Sequence, residues 1–460
     1  MFVTLTLGVI QKSTEFCRKV KAVGNHPGYR TILWHRQPLS YLLPPIPGLT
    51  SDTNYIFTKK YEGEKIRSPL TDLKDITATR VSFPKPVSMF HRLSIFGPNI
   101  VASEGDAWKK YRKISAPAFS DRNNRLVWEE SLKITGDLIN TVWKNKDVVE
   151  VEHVVDVTLP IALNVISVAG FGHEMDWQVD TVVPGTHMMS FHDTLHLAST
   201  GMVLKLSIPS WAMGLMRQWA RVRVAFDELE TAEEKEERHD LFSSLLDAND
   251  DAGGGAEAKL TDRELLGNIY IFLLAGHETT GHTLAFTLVL LALYPDQQEI
   301  LYCHIKSIIP DGRNPFVIIF SSAFYETLRL FPPVTIPKTS VEDTVFVTTN
   351  KAGECKMIPV PQGAILRFDM VGLHRNPRYW KDPEMFNPSR FLGDWSREAF
   401  MPFSQGAHTC IGRKCSETEG VAVLTILISR YKITIKEKPG ETFEERKERV
   451  LKTRMGITLT

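Results

Sequence analysis

One apolar stretch in the second half of the chain limits the possible folds more than any other feature. Residues 265–294 are almost continuously apolar, long enough for about eight helical turns, and Pro295 ends the run. Thr261 is followed three positions later by Glu264, which is the pattern of a capping box at a helix start. The polar residues 277–280 do not suit a lipid-facing centre. The sequence therefore predicts a long helix buried in a large, mainly helical domain.

Composition excludes several classes of protein. The chain has 460 residues, with 54 basic and 54 acidic side chains. This balance argues against a polyanion-binding surface spread over the whole protein, so no nucleic-acid partner is expected. The cysteines are odd in number, scattered and without a CxxC pair, which favours a reducing compartment over a disulfide scaffold or a zinc site. They are Cys17, Cys303, Cys355, Cys410 and Cys415.

The first part of the chain predicts contact with a membrane but not a complete anchor. Residues 2–10 are mostly apolar, yet a spanning helix needs about 20 such residues. Residues 41–49 are rich in proline and predict an extended segment. We therefore expect residues 1–50 to form a membrane-proximal, Pro-rich segment, followed by a single catalytic domain over residues 51–460. Two alternatives stay open: a truncated anchor, or a peripheral, monotopic contact with the membrane.

Breaks and linkers are predicted in the middle of the chain. Pro160, Pro184, Gly185 and Pro209 indicate interruptions between apolar helices in residues 151–246. Residues 247–258 are acidic and rich in glycine, which is typical of a solvated linker.

The surroundings of Cys410 indicate a cofactor loop. Phe403 lies seven positions before the cysteine, Gly406 four before it, and Gly412 two after it. A compact loop with two glycines can present one thiolate to a large, flat cofactor. The alternative is a buried structural cysteine, the usual state of an isolated cysteine inside a cell.

Two further pairs of side chains are candidates for function. Glu278 and Thr279 follow Gly276 in the middle of the predicted long helix, and an adjacent acid and hydroxyl can act together in general acid–base chemistry. The alternative is a threonine that only bonds back to its own helix. Trp108 and Arg112 are four positions apart and share one helix face. They could equally form an ordinary cation–π or packing pair.

Taken in order along the chain, these motifs resemble those of cytochrome P450 monooxygenases. Glu326 and Arg329, then Arg390, match the family pattern between the long helix and the Cys410 loop. The resemblance covers about residues 90–460. It implies a mainly α P450 fold, a large helical domain with small β-sheets, and haem between the long central helix and the cysteine loop. Residues 59–79, 218–241 and 279–326 are shorter than the family pattern, and residues 314–321 read poorly as a helix, which gives apparent short deletions.

The resemblance also assigns roles to single residues. It implies that Cys410 ligates the iron of haem b, that Glu278 and Thr279 help to protonate the bound oxygen, and that Glu326, Arg329 and Arg390 form a structural network. The remaining residues that it places at the cofactor are Trp108, Arg112, Lys338, Phe403, Gly406 and His408.

The function implied is insertion of one oxygen atom from O2 into a lipophilic substrate, a terpenoid or another secondary metabolite as in similar fungal enzymes. Electrons are expected from a separate NADPH-cytochrome P450 reductase at the cytoplasmic face of the endoplasmic-reticulum membrane, docked on basic residues beside the two haem motifs. Two alternatives stay open: a haem-thiolate isomerase or dehydratase that uses a peroxide, and a degenerate haem-binding protein without activity. The docking residues are Lys109, Lys110, Lys113, Arg413 and Lys414.

Overall fold

A computed structural model provides the fold, and it describes most of the chain after residue 80. The predicted N-terminal segment, the linker at 247–258 and the predicted breaks at Pro184, Gly185 and Pro209 lie outside the described residues. Apart from a few single positions, the described residues are 81–172, 216–231, 259–308, 318–349 and 355–452.

The chain divides into two compact units. The larger unit comprises Val87–Val334, His374–Ser396 and Cys410–Thr460. The smaller unit contains Thr335–Leu373 and Arg397–Thr409, together with the described residues before 87. The expected single catalytic domain over residues 51–460 stays a prediction.

Helices dominate the described residues, as the sequence predicts. None of the described helices combines the length and apolarity that crossing a bilayer would require. In chain order the helices are α1 (Gly105–Ser115), α2 (Asp121–Asp137), α3 (Val155–Phe171), α4 (Arg217–Thr231), α5 (Asp262–Leu293), α6 (Pro295–Ile308), α7 (Ile318–Leu330), α8 (Met370–His374), α9 (Arg413–Arg430) and α10 (Phe443–Val450). Short 3₁₀ turns include Ala116–Phe119, Pro388–Phe391 and Gly406–His408.

Helix α5 is the long central helix that the sequence predicts. Its start is a complete capping box, in which the Thr261 hydroxyl accepts from the Glu264 amide and the Glu264 carboxylate accepts from the Thr261 amide. The helix ends at Leu293, and Pro295 opens α6, where its missing N–H would have no partner in any case. Most side chains from Gly267 onward are buried, because neighbouring helices surround α5.

The break predicted at Pro160 is wrong, because α3 runs through this residue from Val155 to Phe171. An internal proline removes one backbone hydrogen bond and strains the helix. Helix α3 packs along α5, and Ile161 and Ala162, which follow the proline directly, are 0% exposed. Burial of this apolar face offsets the local cost of the proline. The helix then ends at Gly172, whose φ of 63° is the left-handed conformation of a glycine C-cap.

An apolar cluster in the larger unit joins α1, α4 and α5 to the chain around Cys410. Trp108 and Tyr111 of α1 belong to it, as do Phe226 of α4 and Phe272 of α5. Ile411, the residue after Cys410, packs against the same cluster. The segment that carries Cys410 is therefore fixed to α1 and α5 by burial of apolar surface.

The smaller unit contains the small antiparallel sheets implied by the resemblance. Strand β1 (Lys338–Thr339) pairs with β4 (Ile365–Leu366), so that Lys338 lies opposite Leu366. Strand β2 (Thr344–Thr349) pairs with β3 (Cys355–Val360). Phe346 of β2 packs on Phe83 at a centroid distance of 5.8 Å, which covers one face of this hairpin.

Candidate active site

Cys410 lies just before the N-terminus of α9, where the residue is exposed but its sulfur is closely surrounded by protein atoms. The side chain is exposed, yet protein atoms surround the sulfur closely enough that burial raises the pKa of the thiol. The Gly412 amide and the positive charges of Arg112 and Arg413 act on this pKa in the opposite direction. These groups and the helix N-terminus would stabilise a thiolate. Cys410 is exposed as a residue, and its closely surrounded sulfur has two cationic neighbours. These surroundings suit a metal-bound thiolate better than a structural cysteine.

The structure brings Trp108 and Arg112 of α1 to the surroundings of this cysteine. Trp108 is 7% exposed in the apolar cluster, while Arg112 is half-buried. Burial lowers the pKa of the Arg112 guanidinium, and the Cys410 side chain acts to raise it. The two residues therefore share one helix face near the predicted ligand, an arrangement suited to carboxylates of a bound cofactor.

Three other helices hold the first turns of α9. The Cys415 thiol donates to Asn124 Oδ1 of α2 at 3.1 Å. The Tyr325 hydroxyl of α7 donates to Glu417 Oε1 at 2.7 Å, and the same oxygen accepts from Arg413 Nε at 2.7 Å. Thr280 of α5 binds Ser416. The backbone that follows Cys410 is thus fixed on several sides.

The turn of α5 that carries Glu278 and Thr279 borders accessible space. Between Glu264 and Leu293, Ala275 is the one exposed residue of the helix. The Thr279 hydroxyl donates to the Ala275 carbonyl at 2.7 Å, which is the helix back-bond considered as the alternative. This bond uses the hydroxyl proton and leaves the oxygen able to accept another donor. The geometry is therefore compatible with both roles.

Glu278 is half-buried and lies within electrostatic reach of a deeply buried phenol. Burial raises the pKa of the Tyr270 hydroxyl, and the charge of Glu278 raises it further. His277, between Gly276 and Glu278, is buried, and its Nδ1 lies 2.8 Å from the Leu273 carbonyl. This histidine therefore has a structural bond inside α5.

The other predicted cofactor residues lie in the smaller unit. Lys338 Nζ lies 2.7 Å from His408 Nδ1, and the two side chains are 2% and 9% exposed. Because an ammonium can only donate, the histidine nitrogen accepts. Phe403 is half-buried, and Gly406 has a φ of 71° at the start of its 3₁₀ turn. The left-handed conformation explains the preference for glycine at that position.

Glu326, Arg329 and Arg390 form the buried network that the resemblance implies. Glu326 and Arg329 are both 0% exposed, and Arg329 Nε lies 2.7 Å from Glu326 Oε2. Arg390 Nε lies 3.1 Å from the other carboxylate oxygen. Helix α7, which carries the first two residues, already begins at Ile318, so part of the stretch expected to be irregular is helical; residues 309–317 lie outside the described part.

Sequence reasoning missed a second role of Glu264. Its carboxylate accepts from Lys110 Nζ at 2.9 and 2.8 Å and from the Tyr111 hydroxyl at 2.7 Å, in addition to capping α5. These bonds lower the pKa of Glu264 against the opposing effect of burial. Lys110 therefore has an internal ion pair with Glu264, and its place among the docking residues stays a prediction. The capping-box pattern at Thr261 was the one sequence signal that pointed to Glu264.

Comparison with known proteins agrees with the resemblance found in the sequence. The family model for cytochrome P450 matches residues 77–460. The chain therefore belongs to the cytochrome P450 family, and it is an oxidoreductase enzyme of the class whose members are named monooxygenases. The family implies a haem cofactor, dioxygen, an organic substrate and a redox partner.

Curated relatives include both fungal and bacterial enzymes. The chain is 46% identical over 500 residues to cytochrome P450 monooxygenase 124 of Postia placenta, which covers 100% of this chain and 96% of the relative. The alignment is longer than the chain, so the relative has residues without a counterpart here. The chain is also 33% identical over 260 residues to a cyclooctat-9-en-7-ol 5-monooxygenase of Streptomyces melanosporofaciens, and this match covers 54% of the chain and 53% of that enzyme.

Solved structures support the fold. The haem domain of cytochrome P450DA matches with a TM-score of 0.68 and 22% sequence identity, covering 85% of this chain and 84% of that one. The P450 fold expected from the sequence is confirmed.

Proposed function

We propose that this protein is a haem-thiolate monooxygenase that inserts one atom of O2 into a lipophilic secondary metabolite. The observation that carries the proposal is the position of Cys410. The residue is exposed, its sulfur is closely surrounded by protein atoms, and Arg112 and Arg413 act on it electrostatically. Burial favours the neutral thiol, whereas the arginines and the Gly412 amide favour the thiolate. The positive charge of a bound iron would add to these groups and favour the thiolate over the thiol.

In this proposal the residues divide into a cofactor-holding set and a proton-handling set. Haem b, when bound, would supply the activation of dioxygen and the oxidation of a C–H bond. Glu278 and the hydroxyl of Thr279 would pass protons from water to the bound oxygen. The cofactor-holding set is Cys410 as the metal ligand, with Trp108, Arg112, Lys338, Phe403, Gly406 and His408.

A pair of cysteine variants tests the ligand. Cys410→His should abolish the absorption band that a reduced, carbon-monoxide-treated haem-thiolate protein shows, because an imidazole cannot replace the thiolate electronically. Cys415→Ala should keep the band, since Cys415 is half-buried and bonded to Asn124. Absence of the band in haem-loaded wild type, or its persistence in Cys410→His, would contradict the proposal.

The substrate class is argued from the relatives and from exposed apolar groups. One relative is named for the oxidation of cyclooctat-9-en-7-ol, and another is named as part of a phomenoic acid biosynthesis cluster. Val334, in the segment after the prolines that follow α7, is 38% exposed, and Met188 is 74% exposed. In this proposal such apolar side chains would line the substrate site, and apolar linings favour lipophilic ligands. We propose a terpenoid.

Spectral titration of the ferric protein checks the substrate class. A panel of terpenoids, fatty acids and simple aromatics should give a change of the main haem band with terpenoids at the lowest concentrations. A response confined to fatty acids or to aromatics would refute the terpenoid assignment. Turnover of a hydroperoxide without any reductant would favour the isomerase or dehydratase alternative.

The proposed electron donor is NADPH-cytochrome P450 reductase, docked on a basic face near the predicted thiolate. Lys109 and Lys113 lie four apart on α1, and Lys414 is on the first turn of α9; all three side chains are exposed. Lys109 has an ion pair with Asp106 at 2.6 Å, but both groups are largely in water, where such pairs contribute little. An acidic partner would be steered by this local positive field although the net charge is zero.

Charge reversal tests the docking face. A Lys109→Glu, Lys113→Glu, Lys414→Glu variant should slow haem reduction and weaken its dependence on salt, while ligand-binding spectra stay unchanged. A control with the same total charge change is Lys432→Glu, Lys436→Glu, Lys438→Glu on another exposed segment. Equal reduction rates in the two variants would rule out this face.

We also propose that the protein works at the cytoplasmic face of the endoplasmic-reticulum membrane, where this type of reductase is found. The apolar residues 2–10 and the Pro-rich residues 41–49 support a peripheral membrane contact. Cell fractionation of the full chain and of a chain lacking residues 1–50 checks it. The full chain should sediment with microsomes and the shortened chain should be released; release of both would refute the contact.

A further inference from the structure

The oxygen-activating turn of α5, residues 275–280, is pressed against α3 on one side. A Cβ atom at Gly281 would lie 2.8 Å from Leu159 Cδ2, closer than real contacts allow. A Cβ at Gly276 would lie 3.3 Å from Ile166 Cγ1. Two glycines therefore let α3 approach the backbone of α5 directly on both sides of Glu278 and Thr279. The turn cannot move towards α3.

On another side the same turn is bonded to the helix that follows Cys410. The Thr280 hydroxyl donates to Ser416 Oγ at 3.0 Å. Thr280 is 2% exposed and follows Thr279 directly, while Ser416 is six residues after Cys410. This contact joins the two parts of the proposed catalytic site through one hydroxyl pair, and neither residue is among those assigned a role above.

We propose that Thr280 and Ser416 are positioning residues that fix the oxygen-activating turn relative to Cys410. The inference rests on the proposed function. Proton transfer requires donor and acceptor within about 2.6–3.2 Å, and a displacement of about 1 Å can cost a factor of about 100 in rate. Without the bond, α5 stays packed on α3 but loses its polar contact with Ser416 of α9, so Thr279 is held less firmly relative to Cys410.

Poor proton delivery has a chemical signature. When protons arrive at the correct oxygen atom in the absence of substrate, four electrons and four protons reduce O2 to two molecules of water. When delivery fails, two electrons and two protons reduce O2 to hydrogen peroxide, which leaves. With NADPH and reductase as the electron source, the ratio of peroxide to water therefore reports on the geometry of the turn.

The chain contains a matched control for this bond. The Thr287 hydroxyl, two turns further along α5, lies 3.0 Å from Thr327 Oγ1 of α7 and 2.7 Å from the Thr283 carbonyl of its own helix. It makes the same kind of threonine contact with a neighbouring helix, at the same distance and from the same parent helix, but its partner is not on α9. Thr280→Val and Thr287→Val each remove one buried threonine hydroxyl with little change in volume. General loosening of α5 would affect both variants alike.

The experiment compares haem-loaded wild type with Thr280→Val, Ser416→Ala, their double variant, Thr280→Ser and Thr287→Val. We expect the peroxide-to-water ratio to rise about threefold in each variant that lacks the bond, with no further rise in the double variant, because the residues act as one pair. Thr280→Ser, which keeps the hydroxyl, should stay near wild type, as should Thr287→Val. The midpoint of thermal unfolding should fall in both valine variants.

Equal ratios in Thr280→Val and Thr287→Val would overturn the proposal, whether both rise or neither does. The infrared C–O stretching band of the reduced carbon-monoxide complex gives a second readout: it should broaden in Thr280→Val and Ser416→Ala and stay narrow in Thr287→Val. If Thr280→Val does not fold, Ser416→Ala decides, and an unchanged ratio there is contrary. Absence of the thiolate-type carbon-monoxide band in wild type would instead remove the proposed function, and the positioning role with it.

Discussion

Replacement of Arg329 by lysine should destabilise the protein strongly although the charge is kept. The guanidinium donates to both oxygens of Glu326, at 2.7 and 2.9 Å, and to the carbonyls of His374, Pro383 and Met385, at 2.7, 2.7 and 3.2 Å. All five N–H groups of an arginine are therefore used. The side chains of Arg329 and Glu326 are 0% exposed, so water cannot replace a lost donor.

The magnitude follows from the number of donors. A lysine ammonium has three donors on a single atom, so at least two of the five hydrogen bonds are lost. A hydrogen bond made by a charged group contributes about 1.5–3 kcal/mol, which gives a loss of about 3–6 kcal/mol in the free energy of unfolding. That is a large part of the roughly 5–15 kcal/mol that stabilises a folded domain.

Urea unfolding of the haem-loaded protein measures the loss from the shift in midpoint at constant slope. The control is Arg223→Lys on α4, whose partner Asp227 lies 3.8 Å away with both side chains about half exposed. It should change stability by less than about 0.5 kcal/mol. If Arg329→Lys lies within about 1 kcal/mol of wild type, the accounting of buried donors is refuted.

Three other variants test the electrostatics. Burial lowers the pKa of His374 to about 3 in the folded protein. In the unfolded chain this histidine has a pKa of about 6.5, so its protonation there should remove stability as the pH falls. His374→Asn should flatten this pH dependence between about pH 6.5 and 5 in urea titrations, and an unchanged slope would contradict the reasoning. Burial raises the pKa of Glu419, so stability is lost as the pH rises above the pKa of this carboxyl in the unfolded chain. Glu419→Gln should be more stable than wild type by a margin that grows with pH. A constant margin would refute the raised pKa. Glu264→Ala should speed haem transfer to apomyoglobin by about tenfold, because α1 loses the hydrogen bonds that Lys110 and Tyr111 make to this carboxylate. Glu445→Ala, which removes the equivalent capping box of α10, should not change the transfer rate. Equal rates in the two variants would exclude a role for Glu264 in holding haem.

Local patterns predicted the elements whose stability is decided locally. Helix α5 followed from its apolar length, its capping box at Thr261 and the proline after it, because each of these signals acts within a few residues. The order of the motifs also led to Glu326, Arg329 and Arg390, which the structure joins. Cys410 was found in the same way, from glycines at fixed offsets, and its role as a ligand stays a prediction.

Contacts between distant parts of the chain could not be predicted. Lys110 and Glu264 are 154 positions apart, and no local spacing connects them. The Thr280–Ser416 bond spans 136 positions and depends on how α5 and α9 cross. Pro160 shows the reverse case, since a local rule predicted a break and tertiary packing of α3 against α5 overruled it.

Because Ala275 is exposed in the middle of a largely buried helix, a substitution there need not disturb the fold. A change at most other positions in the middle of α5 would disturb a packed core and reduce stability. At Ala275 a larger side chain would extend into accessible space beside the turn that carries Glu278 and Thr279. Under the proposed function, substitutions at Ala275 would change the space for a substrate without disturbing the packed core, and libraries that seek new substrates should begin there.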